Sequence, residues 1–391
     1  MENIGKTIKN NIRQYAMLIA LVVIMIFFQI GTGGILLYPM NVTNLVLQNS
    51  YVLILAIGMT LCILTGGNID LSVGSVVAFI GAVSGTLMIN MKMPMFPALL
   101  ITLGIGLLIG LWQGFWIAYI RIPAFIVTLA GMLLFRGLTN TILQGLTLAP
   151  YPPEYQAISG GFIPDFLNFF GASFNVTTIV LGIVLSVLYV IMAIRKRKER
   201  DKYNFENTPT LFFIAQVIII VAGIMLLSYW LAAYKGIPII FVIIGTLVVI
   251  YTVFTQKTVP GRYIYAMGGN EKAAQLSGIN TNKVLFFTYV NMSVLAAVAG
   301  ISFSSRINSA SPVAGQSFEL DAIAACFIGG ASAYGGVGTV IGAIIGALVM
   351  GVLNNGMSIM GVGIDLQMTI KGLVLLIAVA FDVISKRKSR G

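Results

Sequence analysis

The stretch KTVPGRYIYAMGGNEKAAQLSGINTNK, residues 257 to 283, is a polar island between runs that are almost continuously apolar. It carries Lys257, Arg262, Lys272 and Lys283, and basic loops of membrane proteins tend to stay on the cytoplasmic side. The runs beside it, near 237–256 and 284–304, have the length that crosses a bilayer as a helix. The island therefore reads as a cytoplasmic loop, and the chain as an all-α, polytopic membrane bundle. Within the island, Pro260-Gly261 reads as a break, and Glu271-Lys-Ala-Ala-Gln-Leu as a short helix stopped by Ser277-Gly278-Ile279-Asn280. Its few, alanine-rich apolar positions argue against a helix that merely rests on lipid. A soluble partner is expected to dock there.

The composition agrees. Of 391 residues, 58% are hydrophobic and 9% charged, with a mean hydropathy of +0.97, whereas soluble domains are about 25% charged. A net charge of +11 would suggest nucleic acid in a soluble protein, but most Lys and Arg lie in short loops between apolar runs, so the charge encodes topology. The chain has no His, and Cys62 and Cys326 lie inside apolar runs. That excludes His-based catalysis, His/Cys metal sites and a disulfide framework. Lys6, Lys9 and Arg13 precede an apolar run with no small-residue cleavage site after it, which reads as a retained first span.

Twelve windows have spanning character: 16–37, 45–66, 70–90, 97–119, 123–144, 174–194, 210–233, 237–256, 284–304, 318–333, 337–356 and 366–384. Threading all twelve from an inside N-terminus puts 18 of the 23 Lys and Arg inside, among them Arg121, RKRKERDK at 195–202, the island and Lys386, Arg387, Lys388 and Arg390. Lys92, Lys235 and Arg306 fall outside, and Arg136 and Lys371 fall within spans. Partners such as Asp70, Glu319 or Asp321, or snorkelling toward an interface, account for the last two; Lys371 reads as a snorkeller. The 318–333 window is short, so a half-helix entering and leaving one side is an alternative. The outer loop 145–173 holds Pro150, Pro152, Pro153, Pro164, Glu154 and Asp165 and no Lys or Arg. It is either a plain surface connection or a docking surface for an extracellular partner.

Two glycine sets, Gly106, Gly110, Gly114 and Gly338, Gly342, Gly346, are spaced by four, which places each on one helix face for close packing. GGNIDLSVGS at 66–75 sets Asn68, Asp70, Ser72 and Ser75 between long apolar runs. It is either a helix broken at membrane depth, exposing polar groups to a substrate, or a cytoplasmic turn in which Asp70 caps the next helix. Glu319 and Asp321 again open a small-residue helix, which suggests a weak internal repeat.

These residues resemble the inner-membrane permease subunits of bacterial ATP-binding-cassette importers for ribose, xylose, galactose and related monosaccharides. The matching stretches are GGNIDLSVGS at 66–75, IPAFIVTLAGMLLFRG at 122–137, GRYIYAMGGNEKAAQLSGIN at 261–280, ELDAIAACFIGGASAYGGVGTVIGAIIGA at 319–347 and NNGMSIMGV at 354–362. The resemblance implies one transmembrane permease domain over 1–391, a second permease copy in a homodimer, cytoplasmic sugar ATPase subunits that bind ATP and Mg, and an extracytoplasmic sugar-binding protein. It implies a bacterial inner (plasma) membrane location with both termini cytoplasmic. The island, 257–283, then looks like the segment coupled to the ATPase, through Gly261, Arg262, Gly269, Asn270, Glu271, Ala274, Leu276 and Gly278. Residues 174–233 add two helices around a basic loop to a ten-helix core, a layout like the xylose and multiple-sugar permeases, so a pentose such as xylose comes first and galactose or other aldoses next.

No G-x-x-x-x-G-K-[ST] phosphate loop is present, so this chain is not the ATPase and carries no cofactor of its own. It reads as a transport subunit rather than an enzyme, with Asn68, Asp70, Ser72, Ser75, Glu319 and Asp321 shaping the path of a neutral sugar. The alternative is an ion-coupled secondary sugar transporter, which would draft Asp70, Arg136 and Glu319 into a charged relay. An intramembrane enzyme lacks support, since neither a paired catalytic motif nor a metal cluster appears in the sequence.

Overall fold

Proline marks where many of the helices begin, because its missing amide proton and fixed φ suit a first turn whose amides have no helical partner. The computed structural model describes residues 2–168, 171, 173–203 and 209–390. In order, the helices are α1 (Glu2–Gly31), α2 (Pro39–Leu64), α3 (Val73–Gly85, prolonged by a π turn over Thr86–Asn90), α4 (Met95–Ala118), α5 (Ala124–Leu143), α6 (Pro153–Gly160), α7 (Val176–Lys202) and α8 (Thr210–Ala232). Then follow α9 (Ile239–Lys257), α10 (Val259–Gly269), α11 (Glu271–Leu276), α12 (Thr281–Ile307), α13 (Phe318–Ile328), α14 (Val340–Ile359) and α15 (Ile364–Arg390). Pro94, Pro123, Pro152, Pro209 and Pro238 immediately precede α4, α5, α6, α8 and α9, and Pro39 and Pro260 lie in the first turns of α2 and α10. Pro260-Gly261 is therefore no break: it opens a helix, capped by Thr258 Oγ1 accepting from the Gly261 amide.

Among the described residues, ten helices are long and apolar enough to cross a membrane, and α1 contains a shorter apolar stretch, Met17–Gly31. The remaining window, 318–333, differs from both readings of the sequence. Its helix, α13, has 11 residues, about 17 Å at 1.5 Å per residue, roughly half of a hydrocarbon core. Yet it does not turn back. The turn-rich segment after it runs on until the Gly336 amide donates to Leu64 O, 3.0 Å away at the end of α2.

The axis of the bundle is α2, buried along most of its length and packed on α12, α13, α14, α9, α8 and α10. A helix apolar on all sides belongs in such a position. Against α12 lies α4, through Gly106, Gly110 and Gly114: Cβ atoms there would come within 2.4 Å of Ala297, 2.7 Å of Val290 and 3.0 Å of Phe286. Gly342 and Gly346 fit against carbonyls of Gly329 and Ala325 beyond and within α13. Gly338 is not on that helix face; it precedes α14 at φ +150° and packs on Ala331.

The outer loop is not a plain surface connection either. Tyr151 and Tyr155 are buried, Tyr151 Oη donates to Gly81 O at 2.8 Å, Tyr155 Oη shares a 2.7 Å hydrogen bond with Ser304 Oγ, and Ser159 Oγ donates to Ser302 Oγ at 2.9 Å. Thus α6 folds back onto α12. By contrast, α7 and α8 pair with each other and leave most of their length facing outward.

Candidate functional site

Two helices begin inside the bundle, and their starts meet. Past Leu64, Gly66 and Gly67 take φ values of +123° and +78°, and a Cβ on Gly67 would lie 2.0 Å from Ala333 O, so glycine is required. The chain then climbs back: Tyr289, about two turns into α12, donates its hydroxyl to Ile69 O at 3.2 Å. Asp70 follows, 1% exposed, with Oδ1 accepting from the Ser72 amide at 2.8 Å and the Ser72 hydroxyl at 2.6 Å. This carboxylate sits at the positive end of α3, where negative charge is stabilised. Asp70 thus serves a helix start, and that start is buried inside the bundle. Ser72 Oγ in turn accepts from Gln113 Nε2 at 2.7 Å. Asp70 Oδ2, Ser75 Oγ and Gln113 Oε1 are buried with no hydrogen-bond partner in the described protein. Asn68 stands apart, its amide turned to Thr65.

From the other side comes α13. Gly74 and Gly315 touch backbone to backbone: a Cβ on Gly74 would lie 2.2 Å from Gly315 O and 2.4 Å from Glu319 Oε2, and one on Gly315 would lie 2.0 Å from Gly74 O. Glu319 therefore lies over the first turn of α3. Arg136 of α5 does not snorkel; it holds the strap before α13 by donating to Pro312 O at 2.9 Å and Ala314 O at 2.6 Å. Lys371 does not snorkel either. Its ammonium pairs with Asp321 at 3.0 Å, and Tyr51 Oη donates to the same carboxylate at 3.0 Å. Each positive helix end is thus balanced by an acid, and Asp321 is balanced again by Lys371. Among the described residues, no cluster of three or more His, Cys, Asp and Glu side chains gathers to hold a metal.

The polar island forms α10 and α11. Gly268 is the closest fit in it: a Cβ there would lie 1.7 Å from Leu64 O and 2.4 Å from the Gly336 amide. Tyr265 Oη adds a 2.8 Å bond to Gly338 O, and Gly261 fits against Phe254 O. Asn270 Oδ1 caps α11 through the Ala273 amide, Ala274 is its buried contact, and Gly278 ends the turn at φ +83°. Glu271 pairs with Arg121 at 2.7 Å, and Arg121, itself at φ +63°, also binds Thr281 and Asn282. The outward side carries Arg262, Lys272, Gly269 and Leu276, the last 91% exposed.

A family profile described as "Branched-chain amino acid transport system / permease component" matches residues 41–379. The chain belongs to this permease family. Among curated relatives, the permease is 38% identical over 378 residues to the xylose transport system permease protein XylH of Haemophilus influenzae, covering 97% of this chain and 98% of that one. It is 37% identical over 380 residues to XylH of Escherichia coli K12, covering 97% and 94%. It is 36% identical over 342 residues to the ribose import permease protein RbsC of Haemophilus influenzae, covering 88% and 84%. No solved structure matches it. The permease is a membrane transport subunit and not an enzyme.

Several residues of the permease site escaped the sequence reading. Gln113, Tyr51 and Arg121 carry no local motif, and their partners lie far along the chain. In the doublet Gly268-Gly269 it is Gly268 that packs inside the permease, whereas a Cβ on Gly269 would meet nothing of this chain within 4 Å.

Proposed function

We propose that this permease carries xylose, or a closely related pentose or hexose, across the bacterial inner membrane as one half of a homodimer. It is the membrane permease subunit of an ATP-driven sugar importer and works with an ATPase and a substrate-binding protein. In this reading α10 and α11 lie in the cytoplasm, and the ATPase holds ATP and Mg. Residues 174–233 are an addition to the shorter permease core.

The observation that carries the sugar assignment is coverage. The xylose relatives cover 97% of the chain, whereas the ribose relative covers 88%. The polar seam supports an uncharged, hydroxyl-rich cargo, because Asp70 and Glu319 lie at the start of α3 and Asp321 pairs with Lys371, which does not make a charged ion relay. Asp70, Ser72 and Ser75 are at most 1% exposed, so the seam must open for passage. Closure of the ATPases moves α10 and α11, and the contacts of Gly268 and Gly336 with the end of α2, and of Gly67 with Ala333, carry that motion to the starts of α3 and α13.

Proteoliposomes holding the permease, its ATPase and its binding protein should take up xylose only with ATP, and more strongly than ribose. Gradient-driven uptake by the permease alone, indifferent to ATP, would favour the ion-coupled alternative and overturn the proposal.

A further inference from the structure

The α7–α8 pair takes no part in the route above, and its two ends differ. At the end away from α10 and α11, Thr177, Thr178, Gly182 and Ser186 of α7 and Ser228, Leu231 and Ala232 of α8 are buried. Gly182 closes on Ser228 so tightly that a Cβ there would lie 2.2 Å from Ser228 Oγ. At the other end the pair covers little but itself. Arg197 turns to α8, donating to Thr210 Oγ1 at 2.9 Å and lying 4.7 Å above the ring of Phe213. Arg195, Lys198 and Lys202, at i, i+3 and i+7, take the opposite face, with Lys196 beside them, and all four are exposed. Glu199 shares that face and offsets one of the charges. Tyr203 and Leu211, 63% and 78% exposed, flank the cations.

We propose that Arg195, Lys196, Lys198 and Lys202 form a binding site for the phosphates of anionic phospholipids. These cations continue an apolar helix that faces outward along most of its length, so they emerge at headgroup height, and α8 buries none of its most apolar window. Basic clusters placed directly beyond a spanning helix attract anionic headgroups, and an exposed aromatic beside them suits the same interface. The coupling helices pack on α9, α2 and α12, which leaves this end surrounded by lipid.

The full-length permease in nanodiscs of phosphatidylcholine with phosphatidylglycerol tests the site, with lipids retained on native mass spectrometry as the readout. Wild type should keep phosphatidylglycerol in preference to phosphatidylcholine, and the combination R195Q, K196Q, K198Q, K202Q should lower that retention about tenfold or more. The pair K198Q, K202Q, which disturbs insertion less, should lower it by an intermediate amount, and the charge-conserving set R195K, K196R, K198R, K202R should restore it. Both leaflets carry the same lipid, so the outcome does not depend on which face is cytoplasmic, and sugar uptake by the same variants reads the transport proposal separately. Unchanged retention in both glutamine variants, or equal retention of the two lipids by wild type, would overturn the site. So would retention abolished only by neutralising Lys386, Arg387 and Lys388.

Discussion

The starts of α3 and α11 are both polar turns in an apolar chain, and they are built in opposite ways. At α3 the polar groups face inward: Asp70, Ser72 and Gln113 bond one another, and Gly74 meets Gly315 without room for a side chain. At α11 the polar groups hold the turn from outside, Asn270 by its cap and Glu271 through Arg121, while Leu276 projects uncovered. The first arrangement fixes a shape within the bundle. The second offers a surface, with an apolar residue that has nothing of its own chain to touch. The two regions are joined most closely where Gly268 of α10 lies on Leu64 O and Gly336.

That contact is where the comparison is easiest to break. Gly268→Val should abolish ATP-dependent uptake, because the nearest atoms to the added Cβ are backbone and cannot rotate away. Gly269→Ala, one residue on, should leave uptake near wild type, since nothing lies within 4 Å. Equal activity of the two variants would remove the proposed link between the regions.

Next in size is the ion pair behind the seam. Lys371→Met leaves the Asp321 carboxylate buried without its cation, a change that costs about 3–5 kcal/mol in comparable buried pairs. The apparent melting temperature in detergent should fall steeply, and the double variant Asp321→Asn, Lys371→Met should recover most of it. No recovery would mean that Lys371 acts through packing and not through its charge.

Asp70→Ala sharpens the α3 side alone. It removes both hydrogen bonds to Ser72, a loss of about 1–2 kcal/mol for a helix-start acceptor, and should impair uptake while the protein still inserts. Normal uptake by correctly inserted protein would take Asp70 out of the path.

What was legible in the sequence was local. Runs of about twenty apolar residues marked the spans, and the bounds of α11, Glu271–Leu276, agree with the short helical run and the stop residues after it. Pro260 was ambiguous because proline both ends and begins helices, and only the Thr258 cap decides between them. The half-length α13, the inward fold of α6 and the Lys371–Asp321 pair depend on contacts between distant segments, which spacing along the chain does not encode. Gln113 is a polar residue within an apolar run, and only the packing of α3 on α4 places Ser72 against it.

On the α11 side the expected effects are small for stability and specific for function. The Glu271–Arg121 pair is 39% and 38% exposed, so Glu271→Gln should cost well under about 1 kcal/mol. It should still loosen ATP hydrolysis from sugar uptake, as should a Gly278 replacement, because both hold the face that presents Leu276. If hydrolysis and uptake stayed tightly coupled in both variants, α11 would be an ordinary loop.

The smallest effect expected lies at the far end of the molecule, where Asp165 receives the amides of Val176 and Thr177 and the Thr177 hydroxyl at the start of α7. Loss of surrounding water alone would raise this carboxyl, but the donors from Thr177, Val176 and Leu167 outweigh it and hold the group below the ordinary carboxylate range. A carboxylate with a lowered folded-state pKa adds stability above its unfolded value, about 3.9, and loses it as pH falls through the folded one. Amide exchange at Val176 and Thr177 should therefore stay slow at neutral and mildly acid pH and lose its protection only below about pH 4. Asp165→Asn should show weaker protection at neutral and mildly acid pH, with no such acid step. Because this turn is polar, capped and remote from the seam, uptake should be unchanged; a transport defect in Asp165→Asn would mean that the outer loop, and not only the interior, sets how the permease works.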